Sequence, residues 1–286
     1  MAAPHPYRGR RAVVATMHGK ESAIAPAMAA LGLRVEPAHG LDTDRFGTFT
    51  GEVERPGPMR QTAIAKARAG IASSGCPLAI ASEGSYGPHP HFPAIAAGLE
   101  LMVLVDAERD LVIAEERLLE DVTFAQCEAA SVDALAAFLA GIGFPDQGVI
   151  VRPNGRRAGG EGLFKGLTDH AALARAVAEA AARSADGLAF VETDMRAHLN
   201  PRRRAALAGL AERLASRLLS LCPACGAPGF GPVRAERGLP CADCGLPTPL
   251  ARAEVLGCGA CDHLDRVGRS DGLTRASPAA CPLCNP

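Results

Sequence analysis

The first 200 residues alternate between short apolar runs and stretches in which apolar residues recur every three or four positions. The apolar runs predict strands at 11–17, 33–36, 77–81, 99–105, 111–118, 148–152 and 187–192. The recurring positions predict helices at 21–31, 59–73, 131–142, 169–184 and 201–220. Because strands and helices alternate, with one inserted hairpin at 99–118, we predict an α/β body with a mixed sheet.

The last predicted helix carries the most regular apolar stripe. Its leucines recur at three- and four-residue spacings: Leu207, Leu210, Leu214, Leu218 and Leu221. Asn200 suits the N-cap position before this helix, and Pro201 suits its first residue. We therefore expect the stripe to pack against the body or against the tail that follows.

In the tail that follows this helix, the positions of the cysteines are more informative than the hydrophobic pattern. Eight of the ten cysteines lie in residues 222–286 as four CxxC pairs, which are Cys222/Cys225, Cys241/Cys244, Cys258/Cys261 and Cys281/Cys284. Two thiolates separated by two residues can bind one metal ion from a tight turn, and two such pairs complete a tetrahedral site. We predict two such sites, and because four sulfurs leave no open position, both should be structural.

The spacing leaves the pairing of these motifs and the metal open. Consecutive pairs are separated by 15, 13 and 19 residues, which is typical of zinc ribbons. Sequential pairing is favoured, with the first two pairs in one site and the last two in the other, while interleaved and nested pairings are the alternatives. Two Zn²⁺ ions are favoured over rubredoxin-like iron because Phe230 is the single aromatic residue available to shield a redox centre. Iron would indicate an electron-transfer protein.

These patterns divide the chain into three segments. We predict an α/β domain at 1–200, a connecting helix at 201–221 and a double zinc-ribbon module at 222–286. The formal net charge of −1 is the sum of −5, +4 and zero over these segments. Because the tail has no basic footprint, nucleic acid is not favoured as its partner, whereas a protein partner through the zinc ribbons is possible.

The chain shows no apolar stretch typical of a signal peptide or a membrane-spanning helix. CxxC pairs bind metal in preference to forming disulfides in a reducing compartment. We therefore expect a cytoplasmic protein without a membrane partner.

Candidate chemistry begins at the turn after the first strand, where Thr16, His18 and Lys20 precede a helix. Backbone N–H groups at a helix N-terminus attract phosphate, and a Lys and a Thr beside them strengthen such a site. Lysine is rare in this chain, with Lys20, Lys66 and Lys165 against 27 arginines. In a chain that uses arginine for almost all of its basic residues, each lysine indicates a position where a compact ammonium group is required.

Two longer stretches carry a family resemblance. ATMHGKESAIAPAMAALGLRV and TAIAKARAGIASSGCPLAIASEGSYG resemble the opening of the inosine triphosphate pyrophosphatase superfamily, including its purine NTPase branch. The resemblance covers residues 11–105. It implies that five residues face a triphosphate, namely Thr16, His18, Lys20, Lys66 and Arg68.

The same resemblance implies a role for Glu83 as a metal-binding or general-base carboxylate. Mg²⁺ held by carboxylates and phosphate oxygens would then activate water for cleavage between phosphates. The chain departs from the family at two points, because Gln61 replaces an acidic residue and Ser82-Glu83 replaces an acidic pair.

A second polar constellation, ETDMRAHLNP, follows the predicted strand at 187–192. Open α/β sheets bind ligands at the carboxyl ends of their strands, so Asp194, Arg196 and His198 are candidates for binding metal and phosphate. This segment and the four CxxC pairs also resemble an uncharacterised bacterial family described as a domain of unknown function. That resemblance implies no activity.

The leading hypothesis is a Mg²⁺-dependent nucleotide pyrophosphohydrolase or phosphate-ester hydrolase with structural zinc ribbons. Glu83, Asp194 and His198 would be catalytic, and Arg196 would join the phosphate-binding residues. The alternative is a non-catalytic zinc-ribbon protein that contacts protein or RNA.

Overall fold

The computed structural model describes residues 4–17, 19–48, 52–156 and 161–286. The α-helices of this part are α1 (Glu21–Ala29), α2 (Met59–Ser74), α3 (Ala136–Ile142), α4 (His170–Ala182) and α5 (Pro201–Leu219). The body strands are β1 (Arg11–Val14), β2 (Arg34–Pro37), β3 (Leu78–Pro88), β4 (Ala96–Asp106), β5 (Leu111–Leu119), β6 (Gln126–Ala129), β7 (Val149–Pro153), β8 (Phe164–Leu167) and β9 (Ala189–Thr193). The tail strands are β10 (Gly231–Arg237), β11 (Ala251–Gly257) and β12 (Leu264–Gly268).

The first body sheet is mixed, as the sequence predicts, with strand order β2-β1-β3-β4-β5. β1 pairs in parallel with β2 and β3, whereas β3, β4 and β5 are antiparallel. The inserted hairpin is confirmed as β4 and β5. β3 continues well past its predicted end at Ala81, through Ser, Gly and Pro residues that disfavour strands when considered alone. Pairing with the apolar strand β4 along its whole length holds this extension in the sheet.

Helices pack on this sheet, and the hydrophobic core lies between them and the sheet. α2 contacts β1, β3 and β4, whereas α5 contacts α1, β4 and β5. The predicted stripe of α5 is confirmed for four leucines that are fully buried, namely Leu207, Leu210, Leu214 and Leu218. Its predicted fifth member, Leu221, lies beyond the end of the helix at Leu219 and is exposed. Asn200 caps this helix as predicted, because its side chain accepts a hydrogen bond from the N–H of Arg203. None of the described helices is both long and apolar enough to cross a membrane.

A second body sheet, antiparallel throughout, has the order β6-β9-β7-β8. α3 and α4 cover one face of it with a separate apolar core that includes Leu135, Leu173 and Val191. The sequence does not predict this second sheet beside the mixed one. The edge strands β6 and β8 have only four residues each and carry polar or glycine residues, so their hydrophobic pattern is too weak to predict them.

Candidate functional site

The cysteines of the four CxxC pairs form two clusters. Site A consists of Cys222, Cys225, Cys258 and Cys261, and site B consists of Cys241, Cys244, Cys281 and Cys284. The sequential pairing favoured by the spacing is therefore wrong. The first pair joins the third, and the second pair joins the fourth.

The antiparallel tail sheet explains this interleaving. The first pair precedes β10 and the third follows β11, and because these strands are antiparallel, both pairs lie at one end of the sheet. β12 then returns the chain to the opposite end, where the fourth pair meets the second. The tail is thus one three-stranded sheet with a cysteine site at each end.

The geometry of both sites fits a tetrahedral metal ion. Two sulfur–sulfur distances are 3.8 and 3.6 Å in site A, and two are 3.9 and 3.6 Å in site B. Four sulfurs bound at the Zn–S distance of about 2.3 Å lie about 3.8 Å apart in a tetrahedron. None of these eight cysteines forms a disulfide. Each site can therefore hold one metal ion, and four sulfurs suit a structural zinc ion or tetrahedral iron.

A cationic cleft lies where the two body sheets meet, and it encloses about 810 Å³ including its open mouth. Six basic residues line it, namely Lys20, Arg55, Lys66, Lys165, Arg196 and Arg203. Its acidic lining residues are Asp44 and Glu83, and Thr16, Thr43 and Thr48 contribute hydroxyl groups. The cleft opens at the carboxyl end of β1, where open α/β sheets bind their ligands.

Three of the predicted phosphate-facing residues, Thr16, Lys20 and Lys66, line this cleft together with Glu83. Lys66 comes from α2 and forms a close ion pair with Glu83 on β3, and both side chains are almost fully buried. Arg55 approaches the second carboxylate oxygen of Glu83 at 3.5 Å. It also donates a 2.8 Å hydrogen bond to the carbonyl of Gly84. Glu83 thus fixes two cations at the base of the cleft.

Lys20 differs from the other cations of the cleft. Its ammonium group donates a 3.1 Å hydrogen bond to the Ser82 hydroxyl, and no carboxylate of the described residues lies within ion-pairing distance. Desolvation in the cleft, with the nearby Arg203 charge as the next cause, lowers the pKa of Lys20 to about 7. Glu100 and Glu83 offset part of this shift. A largely desolvated ammonium without a directly paired carboxylate is a favourable position for an anionic ligand.

The ETDMR segment contributes to the cleft through Arg196. Asp194 is fully buried, and its carboxylate accepts two-pronged hydrogen bonds from the Arg196 guanidinium at 2.6 to 3.1 Å. These bonds raise the pKa of Arg196. The structure therefore places Asp194 behind Arg196, where it orients that side chain and does not line the cleft.

The remaining predicted site residues do not join this group. Arg68 is exposed on α2 and lines a separate depression beside Asp106. His198 is exposed and is not among the lining residues of the cleft, and partial burial followed by the Arg196 charge lowers its pKa. His18 lies outside the described residues.

Among the cleft residues that the sequence did not single out is Arg203. Arg203 lies at the start of α5, and its Nε donates a 2.6 Å hydrogen bond to Glu100 on β4, with both side chains about 1% exposed. Tyr86 donates a 2.5 Å hydrogen bond to the same carboxylate. The sequence does indicate that Glu100 is unusual, because this residue interrupts the apolar run of β4. It does not distinguish Arg203, which is one of three consecutive arginines.

Comparison with known protein families assigns the chain to a family and gives no activity. A model of the family described as Domain of unknown function (DUF6671) matches residues 66–286. The chain belongs to this family. The DUF6671 match includes Lys66, Glu83, Arg196 and both cysteine sites. Neither a curated protein nor a solved structure matches this chain.

Proposed function

We propose that the cationic cleft binds a phosphate ester, with a nucleoside triphosphate as the leading candidate, and hydrolyses a bond between its phosphates. The observation that carries this proposal is Lys20, whose ammonium group lines the cleft and contacts the Ser82 hydroxyl but no carboxylate in the described part of the chain. An anion at this position would supply the missing counterion. It would also restore the protonated state of Lys20 at neutral pH.

The distribution of charge supports a ligand with several phosphates. Lys20 and Lys66 come from the first body sheet and its helices, while Lys165 and Arg196 reach the cleft from the second sheet and the segment after it. Several cations contributed by both sheets suit an extended polyanion better than a single small anion. The resemblance to the inosine triphosphate pyrophosphatase superfamily favours a nucleotide among the possible polyanions.

Glu83 is the residue on which hydrolysis would depend. Once phosphate oxygens pair with Lys66 and Arg55, the carboxylate of Glu83 is released to accept a proton from water or to bind a cation. Within the described chain, sites A and B are the only clusters of three or more potential metal ligands. Mg²⁺ would thus be held by Glu83, phosphate oxygens and water, and when bound it would neutralise phosphate charge.

A nucleotide panel tests this function. We expect the purified protein to release pyrophosphate or phosphate from at least one standard or deaminated nucleoside triphosphate with Mg²⁺ or Mn²⁺. Lys20→Met should lower kcat/KM by about a hundredfold, because it removes charge stabilisation from the cleft. Arg68→Gln is the matched control and should leave kcat/KM unchanged, because Arg68 lies outside the cleft.

Two results would contradict the proposal. One is the absence of release from every nucleotide with either metal. The other is release that persists unchanged in Lys20→Met, which would place the activity outside the cleft or in a contaminant.

A further inference from the structure

The two cysteine sites differ in what surrounds them. Site A adjoins the body, and Gly259 within its third CxxC pair approaches Leu111 of β5 so closely that an added Cβ would lie 2.7 Å from that side chain. Gly229 beside its first pair approaches Ile113 of β5, with 2.5 Å to an added Cβ. The backbone hydrogen bonds of the site B turns join tail residues to one another, for example Ala242 N–H to the carbonyl of Ala276.

Helix α5 runs directly into site A. The Ser220 carbonyl at its end accepts hydrogen bonds from the N–H groups of Gly229 and Phe230, both at 3.0 Å. Arg217 in its last turn donates a 3.2 Å bond to the carbonyl of Gly229. The same side chain donates a 3.0 Å bond to Glu115 of β5. Site A, α5 and β5 therefore form one packed unit.

The opposite end of α5 reaches the cationic cleft. Arg203 lies in its first turn and pairs with Glu100 on β4, the strand hydrogen-bonded to β5. Gly84 fits against this pair, because an added Cβ would lie 2.6 Å from Glu100 and 2.8 Å from Arg203. The two elements that hold this buried pair, α5 and the β4–β5 hairpin, are the elements that site A contacts.

We propose that the metal ion at site A, unlike the one at site B, holds α5 against β5 and thereby keeps the Arg203–Glu100 pair of the cleft in place. Loss of metal from site A should loosen the body and weaken ligand binding. Loss of metal from site B should unfold only the distal end of the tail. The loosening of the body follows from the packing alone, while the effect on ligand affinity rests on the proposed function of the cleft.

The chain offers matched variants for the test. Cys225→Ser and Cys244→Ser each replace the second cysteine of a CxxC pair, one in site A and one in site B. Each should lower the metal content by one ion per chain. Hydrogen exchange in 201–219 and 111–119 should accelerate in Cys225→Ser and stay at the wild-type rate in Cys244→Ser. Affinity for inorganic triphosphate should fall about tenfold in Cys225→Ser alone.

Arg217→Gln covers the case in which Cys225→Ser does not fold. It removes contacts between α5, site A and β5 without touching a metal ligand, so two metal ions should remain while exchange in α5 and β5 accelerates. Equal exchange in Cys225→Ser and Cys244→Ser would overturn the proposal, as would wild-type exchange in Arg217→Gln. If the exchange pattern holds but the wild-type protein binds no triphosphate, the role of site A stands and the proposed ligand of the cleft is wrong.

Discussion

At the scale of single residues, the cleft is defined by paired charges and one exception. Glu83 holds Lys66 and Arg55, Glu100 holds Arg203, Asp194 holds Arg196, and Glu52 holds Lys165. Lys20 is the exception. Buried ion pairs contribute little net stability, because desolvation offsets most of their attraction. Their convergence on one cleft fits the ligand binding proposed above, in which the carboxylates would keep the cations oriented until an anion arrives.

The lowered pKa of Lys20 gives the first prediction at this scale. An anion beside the ammonium group favours its protonated form, so binding raises this pKa from about 7 and takes up a proton. Affinity should therefore be highest below pH 7 and fall as the pH rises, by up to about tenfold per pH unit. Calorimetry with sulfate measures this dependence, because sulfate keeps the same charge from about pH 6 to about pH 9, where Lys20 titrates.

Lys20→Arg is the control for this dependence. A guanidinium stays protonated throughout the range, so affinity for sulfate should become independent of pH. A wild-type protein with equal sulfate affinity at both ends of the range would show that Lys20 does not contact the anion.

At the scale of elements, the sequence predicts those features that hydrophobic periodicity and helix capping determine. The predicted strands and helices of the body, four of the five leucines of the α5 stripe and the cap at Asn200 are confirmed, because each depends on local spacing. The interleaving of the cysteine pairs depends on strand direction, which the spacing of cysteines does not contain. The Arg203–Glu100 pair joins residues more than 100 positions apart, so only the packed fold brings them together.

The close approach of β3 to α5 gives a prediction at this scale. Gly84→Ala should destabilise the protein by about 1–3 kcal/mol, because its Cβ would overlap the buried Arg203–Glu100 pair. Gly87→Ala on the same strand has open space around its Cβ and should change stability by less than about 0.5 kcal/mol. Urea unfolding of both variants measures the difference, and equal stability of the two would show that this contact is not tight.

At the scale of the whole molecule, the cationic cleft and the two cysteine sites occupy separate regions. The cysteine sites are saturated by four sulfurs each and lie in the tail, so they offer no open coordination position. The cationic cleft lies in the body, where the basic residues of both sheets converge. A molecule organised in this way should bind its ligand in the body, with the tail acting on that binding only through packing.

The most direct test of this account is calorimetric titration of the metal-loaded protein with inorganic triphosphate, without chelator or added Mg²⁺, at about pH 6.5, where Lys20 is largely protonated. We predict one ligand per chain for the wild-type protein and for Arg68→Gln, whose altered charge lies outside the cleft. The double variant Lys20→Met/Lys66→Met should bind at least about a hundredfold more weakly, because it removes two cations from the cleft. Absence of binding by the wild-type protein, or equal affinity in all three proteins, would contradict the account.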